Sequence, residues 1–159
     1  MTHSTYDHIQ RGFFHWILYV LAGVQATLAF TLFGEVGESV FVTRVILGIM
    51  SVVMLVLASC FQHLRVSNES DALRISFGPV PILRRRIAYA DIVSVNPSRS
   101  SFIDGWGIHW NPVRGWIWNI RGRDVVEFEL SDGRLRVGTN DPDGLITHLQ
   151  DRIGSRAVA

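Results

Sequence analysis

Two long runs without Asp, Glu, Lys or Arg, residues 12–34 and 45–64, constrain this chain more than any other feature. A helix rises about 1.5 Å per residue, so each run can cross a hydrocarbon layer about 30 Å thick. The sequence therefore predicts a transmembrane two-helix hairpin within residues 1–64, with spans at about 13–33 and 45–63. A domain over 65–154 and a flexible tail at 155–159 follow. The first run exceeds the 7–15 apolar residues of a signal core and a second run follows it, so an uncleaved helix is expected.

Orientation follows from charge. The connector 34–44 carries Glu35 and Glu38 against Arg44 alone, whereas Arg11 precedes the first span and Arg65, Arg74, Arg84, Arg85 and Arg86 follow the second. Positive residues are retained on the cytoplasmic side, which predicts an inner-membrane, multi-pass protein with both termini cytoplasmic. Small residues (Ala22, Ala26 and Ala29; Gly48, Ser51, Ala58 and Ser59) would let the two helices approach closely. Gln25, mid-span, is expected to hydrogen-bond a backbone carbonyl or the partner helix.

Composition removes several chemistries. All 15 basic residues are arginine, which excludes Schiff-base lysines and a phosphate-loop lysine. The single cysteine, Cys60, excludes an intrachain disulfide and a cysteine-rich zinc site. A formal charge of +1 offers no general nucleic-acid surface. His15 and His63 would lie at the same depth, with Cys60 one turn before His63, a weak candidate set for haem or a metal. Amphipathic interfacial histidines, beside the anchors Trp16 and Tyr19, explain the same pattern. No cofactor is expected.

After Leu64 the apolar period becomes two. Leu64 and Val66, then Leu73, Ile75 and Phe77, then 82–87 and 92–95, read as short strands. Asp132-Gly133 predicts a two-residue type I′ turn joining 125–130 to 135–137, with both turn residues at positive φ. That register opposes Leu130 to Leu135, Phe128 to Val137 and Glu129 to Arg136. It places Val126, Phe128, Leu130, Leu135 and Val137 on one buried face and the Glu129/Arg136 pair on the wet one. A second hairpin sets Trp106, Ile108 and Trp110 against Trp116, Trp118 and Ile120, with 111–115 as its loop. These rings suit either a small core or an aromatic surface for lipid or a protein. Asp141 as N-cap and Pro142 at the first helical position open a closing helix striped by Leu145, Ile146, Leu149 and Ile153.

The stretches Gly105-Trp106-Gly107-Ile108, Gly115-Trp116, Asn119, Gly122, 125–130, Asp132-Gly133-Arg134 and Val137-Gly138-Thr139-Asn140-Asp141-Pro142 resemble bacterial pleckstrin-homology-like (PH-like) membrane proteins. The resemblance covers about 65–153. It implies an α+β chain: a membrane hairpin, then a PH-like small β-barrel or sandwich with one C-terminal capping helix. It also implies a membrane-tethered scaffold or adaptor with no catalytic residues to transfer.

Three functions follow as expectations. The first is a non-enzymatic inner-membrane protein whose PH-like domain is a protein-interaction or assembly module, with a protein partner or self-association. The second is an anionic-lipid module using Arg84, Arg85 and Arg86 together with Trp106, Trp110, Trp116 and Trp118. Alternation would turn Arg85 away from its neighbours, and a solvated edge strand explains the triplet equally well. The third is the haem or metal protein. No small-molecule substrate is identified: Asp91, Asp104, Asp124 and the expected surface histidines His109 and His148 fall on separate elements, with no serine spaced to join them.

Overall fold

Both uncharged runs become helices, α1 (Phe14–Thr31) and α2 (Glu38–Cys60), in a computed structural model that describes residues 6–32, 34–100 and 107–154. They pack along one seam. Leu18, Ala22, Gln25 and Ala29 recur at helical spacing on α1, and Leu47, Ser51, Met54 and Ala58 do so on α2; all are buried or half-buried. The Ser51 hydroxyl donates to the Ala22 carbonyl at 2.9 Å, an approach that small residues permit. Gln25 lies in this seam, and its Oε1 is buried with no hydrogen-bond partner among the described residues. On the outward faces Val20, Val24, Ile46, Ile49, Val53 and Val56 are exposed. Both helices are long and apolar enough to cross a membrane.

The polar part forms two sheets rather than one closed barrel. Strands β1 (Asp7–Arg11), β2 (His63–Glu69), β3 (Ala72–Phe77) and β4 (Arg84–Ala88) make an antiparallel sheet in that order. Strands β5 (Ile92–Arg99), β6 (Gly107–Asn111), β7 (Gly115–Asn119), β8 (Asp124–Leu130) and β9 (Gly133–Gly138) make a second sheet in the order β5-β8-β9-β7-β6. Its β7/β9 contact is parallel.

Strand β1 lies before the first helix, in a segment that carries no apolar alternation of its own. It pairs antiparallel with β2, Arg11 opposite His63 and Asp7 opposite Ser67. The chain thus enters and leaves the helix pair through two adjacent strands, and Gly12 N–H donates to the Gln62 carbonyl at their foot. Gly78 seals the junction from the far end of β3. Its φ of +71° suits glycine, and a Cβ there would strike the backbone carbonyls of Ser59 and Cys60.

One contiguous apolar cluster draws on both sheets. Leu64, Val66, Leu73, Ile75, Phe77 and Ile87 from the first meet Val95, Trp118, Val126, Phe128, Leu135 and Val137 from the second. Helix α3 (Pro142–Ile153) adds Leu145 and Leu149 and packs on β5 and β8. Its N-terminus forms as expected, with the Asp141 side chain accepting from Gly144 N–H.

The β8/β9 register differs from the expected one. Leu130 faces Gly133, Phe128 faces Leu135 and Val126 faces Val137, with Ser131 and Asp132 in the turn. Neither turn residue has positive φ; Gly133, just after them, does. The type I′ expectation fails because the glycine serves the exit of the turn rather than its centre. A two-residue shift preserves the parity of side chains, so the five apolar residues still share the buried face. The expected Glu129/Arg136 pair is lost: Glu129 faces Arg134, and Arg136 faces Glu127. Arg136 is also not wet, being only 1 % exposed.

Candidate functional site

Strands β6 and β7 pair Ile108 with Trp118 and Trp110 with Trp116. The parallel β7/β9 register then places Trp118 beside Val137 and Trp116 beside Leu135. One rung therefore runs Val95, Phe128, Leu135, Trp116, Trp110 across all five strands, on the face that carries the core. Its first three residues are fully buried, whereas Trp116 is 43 % exposed and Trp110 is 59 % exposed. Trp118, one rung nearer the helix pair, is 8 % exposed, and its ring lies 5.7 Å from that of Phe77. The hairpin is thus part core and part surface. The four-stranded sheet covers Trp118 and leaves the rung at the β6 edge uncovered. Val113 in the hairpin tip is exposed as well. Trp106 lies outside the described residues, as do Asp104 and the tail at 155–159.

On the other side of the molecule, the outward face of the first sheet is rich in arginine. Register places Arg65, Arg74, Arg84 and Arg86 on this face, with Arg84 opposite Ser76 and Arg86 opposite Arg74. Arg85 faces Ile75 instead, on the core side of edge strand β4. Carboxylates lie towards the end of the face remote from the helices and pair with three of these arginines. Asp7 accepts from Arg65 at 2.6 Å, Glu69 from Arg74 at 2.5 Å, and Asp71 from Arg86 at 2.5 Å. The Arg65 hydrogen bond holds the Asp7 carboxyl below its usual range. His63, at the near end, is shifted towards its neutral form by burial and then by the positive charges of Arg65 and Arg11.

A third polar cluster ties β1 to α3. The Tyr6 ring stacks on His148 at 5.3 Å, the Tyr89 hydroxyl lies 3.1 Å from His148 Nε2, and His8 Nε2 lies 2.7 Å from Asn140 Oδ1. His148, expected at the surface, is buried, and that burial pushes its titration below the ordinary histidine value. The sequence held the signal: His148 is one turn from Leu145 and next to Leu149 on the α3 stripe. His109 is half-buried rather than exposed.

The weak metal candidates are placed separately. His15 packs by Trp16 and Tyr19, Cys60 is buried at the end of α2, and His63 faces outward from β2. Among the described residues, no three His, Cys, Asp or Glu side chains gather in a set able to hold a metal ion.

The residues that carry the PH-like resemblance shape turns and caps. The Asn119 side chain accepts from Arg121 N–H and donates to the Gly122 carbonyl, ordering the β7–β8 turn. Gly138 packs against that same asparagine, leaving no room for a Cβ. Thr139 Oγ1 accepts from Asp141 N–H just before α3. These roles specify a fold and no chemistry. No protein-family model matches the chain, and no curated protein matches it.

Proposed function

We propose that this chain is a non-enzymatic, membrane-anchored interaction module: the helix pair anchors it, and a PH-like domain binds a protein partner along the β6–β7 edge. Support for the anchor is the bare apolar surface of both helices, which water would not tolerate over such an area. Support for the PH-like assignment is the two-sheet, one-helix plan together with the motif; the open edges and the parallel β7/β9 contact depart from a closed barrel. The arginine bias after the second span argues for an inner membrane with both termini in the cytoplasm.

The exposed Trp110–Trp116 rung is the single observation that carries the interaction role. Tryptophan is enriched among residues that dominate binding energy, and an edge strand offers free backbone groups to an incoming chain. The rung lies four residues along β7 from Ile120, which packs at Gly12 beside the foot of the helices. That is about 13 Å of strand, which favours a protein over the bilayer as its occupant.

The test is site-specific photocrosslinking in membranes, with the photoreactive residue at Val113 and, as control, at Asp132. A discrete adduct from position 113 alone, reduced at least tenfold by Trp110→Ala/Trp116→Ala, is the expected outcome; an adduct of twice the chain mass identifies self-association. A chain that yields no adduct from 113 in its native membrane, and purifies as a solitary monomer after gentle extraction, overturns the reading.

A further inference from the structure

The outward face of the β1–β4 sheet has a charge gradient along the direction in which its strands meet the helices. Arg11 and His63 form its nearest level, three residues or fewer from the ends of α1 and α2. The next level, two residues and about 7 Å further out, is Ile9, Arg65, Ser76 and Arg84. Asp7, Ser67, Arg74 and Arg86 come after that, then Glu69. All the carboxylates that pair with this face therefore sit at its remote end. Among the described residues, no carboxylate reaches Arg11 or Arg84 within ion-pair distance. The net positive charge is left at the end nearest the helices.

Shape and apolar surface agree with that gradient. A concavity of about 480 Å³ takes in Ile9, His63, Ser76 and Pro79 with the ion-paired Arg65 and Arg74, and Arg11 and Arg84 border it by register, opposite His63 and Ser76. It lies beside the β3–β4 loop, whose Gly78 touches the last turn of α2. That loop exposes Val80 at 53 % and Ile82 at 63 %, immediately before Arg84. Apolar side chains next to unneutralised arginines, at the level where helices leave a hydrocarbon layer, match the two zones of a lipid interface: acyl chains below and phosphates above. The polar headgroup layer spans the first 5–8 Å or so outside the hydrocarbon, the depth of the first two levels.

We propose that this face binds the phosphate of an anionic membrane lipid, with Arg11 and Arg84 as its charged contacts and the Val80/Ile82 loop seated in the interface. Arg74 and Arg86 are already held by Glu69 and Asp71, and Arg85 points to the core side, so the arginine triplet contributes chiefly through Arg84. The inference rests on the membrane anchor proposed above and is independent of the β6–β7 partner.

The experiment uses the full-length chain in phosphatidylcholine nanodiscs doped with phosphatidylglycerol. Native mass spectrometry then counts the phosphatidylglycerol retained on the released protein. Each arginine near a charged surface is worth about a fivefold change in affinity, so Arg11→Gln/Arg84→Gln should weaken retention about 25-fold. Arg99→Gln/Arg134→Gln removes the same charge from the other sheet and should leave it unchanged, with equal thermal midpoints certifying both folds. Equal loss in the two double variants, or no preference over phosphatidylcholine in the native chain, overturns the site. Displacement by millimolar glycerol 3-phosphate also overturns it, since the ligand would then be a soluble phosphate. Failure of the chain to enter nanodiscs at all sinks the anchor instead, and is a separate result.

Discussion

The helix pair and the two-sheet domain use the same apolar residue types in opposite ways. In the domain Phe77, Phe128, Leu135 and Val137 are fully buried by other parts of the chain. In the helices, Val20, Val24, Ile46 and Ile49 face outward and are exposed. The domain excludes water by folding on itself, while the two helices cover each other along one seam and leave outward faces that are exposed and apolar enough to cross a membrane. Amphipathic α3, by contrast, resolves the same problem by laying Leu145 and Leu149 on the sheets.

Truncating a core ring should separate the two regions most sharply. Phe128→Ala is expected to destabilise the domain by about 3–5 kcal/mol, read from denaturant unfolding in detergent. Val53→Ala on the outward face of α2 should change that midpoint little, because lipid or detergent fills the space. Equal effects would break the comparison.

Charge gives the reverse contrast. Val53→Arg should oppose membrane insertion by about 2.5–3.5 kcal/mol, measured by carbonate extraction or glycosylation mapping. Val113→Arg, on an exposed loop tip of the domain, should leave both insertion and folding intact. Normal insertion of the Val53 variant would argue that this helix meets water.

Within the domain, Asp141→Ala removes the acceptor for Gly144 N–H at the start of α3 and should cost about 1 kcal/mol. The thermal midpoint reads it, and Asp141→Asn should recover most of the loss.

The smallest effect is with pH. His148 has a folded pKa lowered from 6.5 by burial first and by Arg152 second. The unfolded chain then binds more protons between the lowered value and 6.5, so stability is complete above 6.5 and declines as pH falls below it. His63 is shifted in the same direction and adds to the slope. His148→Phe keeps the stacking surface against Tyr6 and should flatten, without abolishing, the fall of the midpoint between pH 7.5 and 5.5. An unchanged slope would remove His148 from the account.

How far the fold was legible depends on whether a residue's fate is decided locally. The start of α3 was, because Asp141 and Pro142 act within one turn. The β8/β9 buried face was too, since parity survives a register error of two. Strand β1 was not: Asp7-His8-Ile9-Gln10-Arg11 has a single apolar residue, and only the edge offered by β2 makes it a strand. The parallel β7/β9 contact joins segments whose pairing no local pattern encodes. Arg136 looked like a wet cross-strand partner because alternation cannot say whether the face away from the core is covered.

The tryptophan hairpin shows the boundary most clearly. Its register, and the common face of Trp110, Trp116 and Trp118, follow from period two and the loop between them. Which of these rings is core follows from the reach of a different sheet, which covers Trp118 and leaves Trp116 and Trp110 partly exposed.

By itself, then, the sequence determined two apolar helices, the strand faces and the capped terminal helix, since periodicity and capping act over a few residues. Tertiary structure alone decided that β1 completes the first sheet, that the carboxylates reach Arg65, Arg74 and Arg86 but not Arg11 or Arg84 among the described residues, and that Trp110 and Trp116 stay partly exposed. Those outcomes depend on which distant segments lie side by side, and side-by-side placement is a property of the whole packed chain.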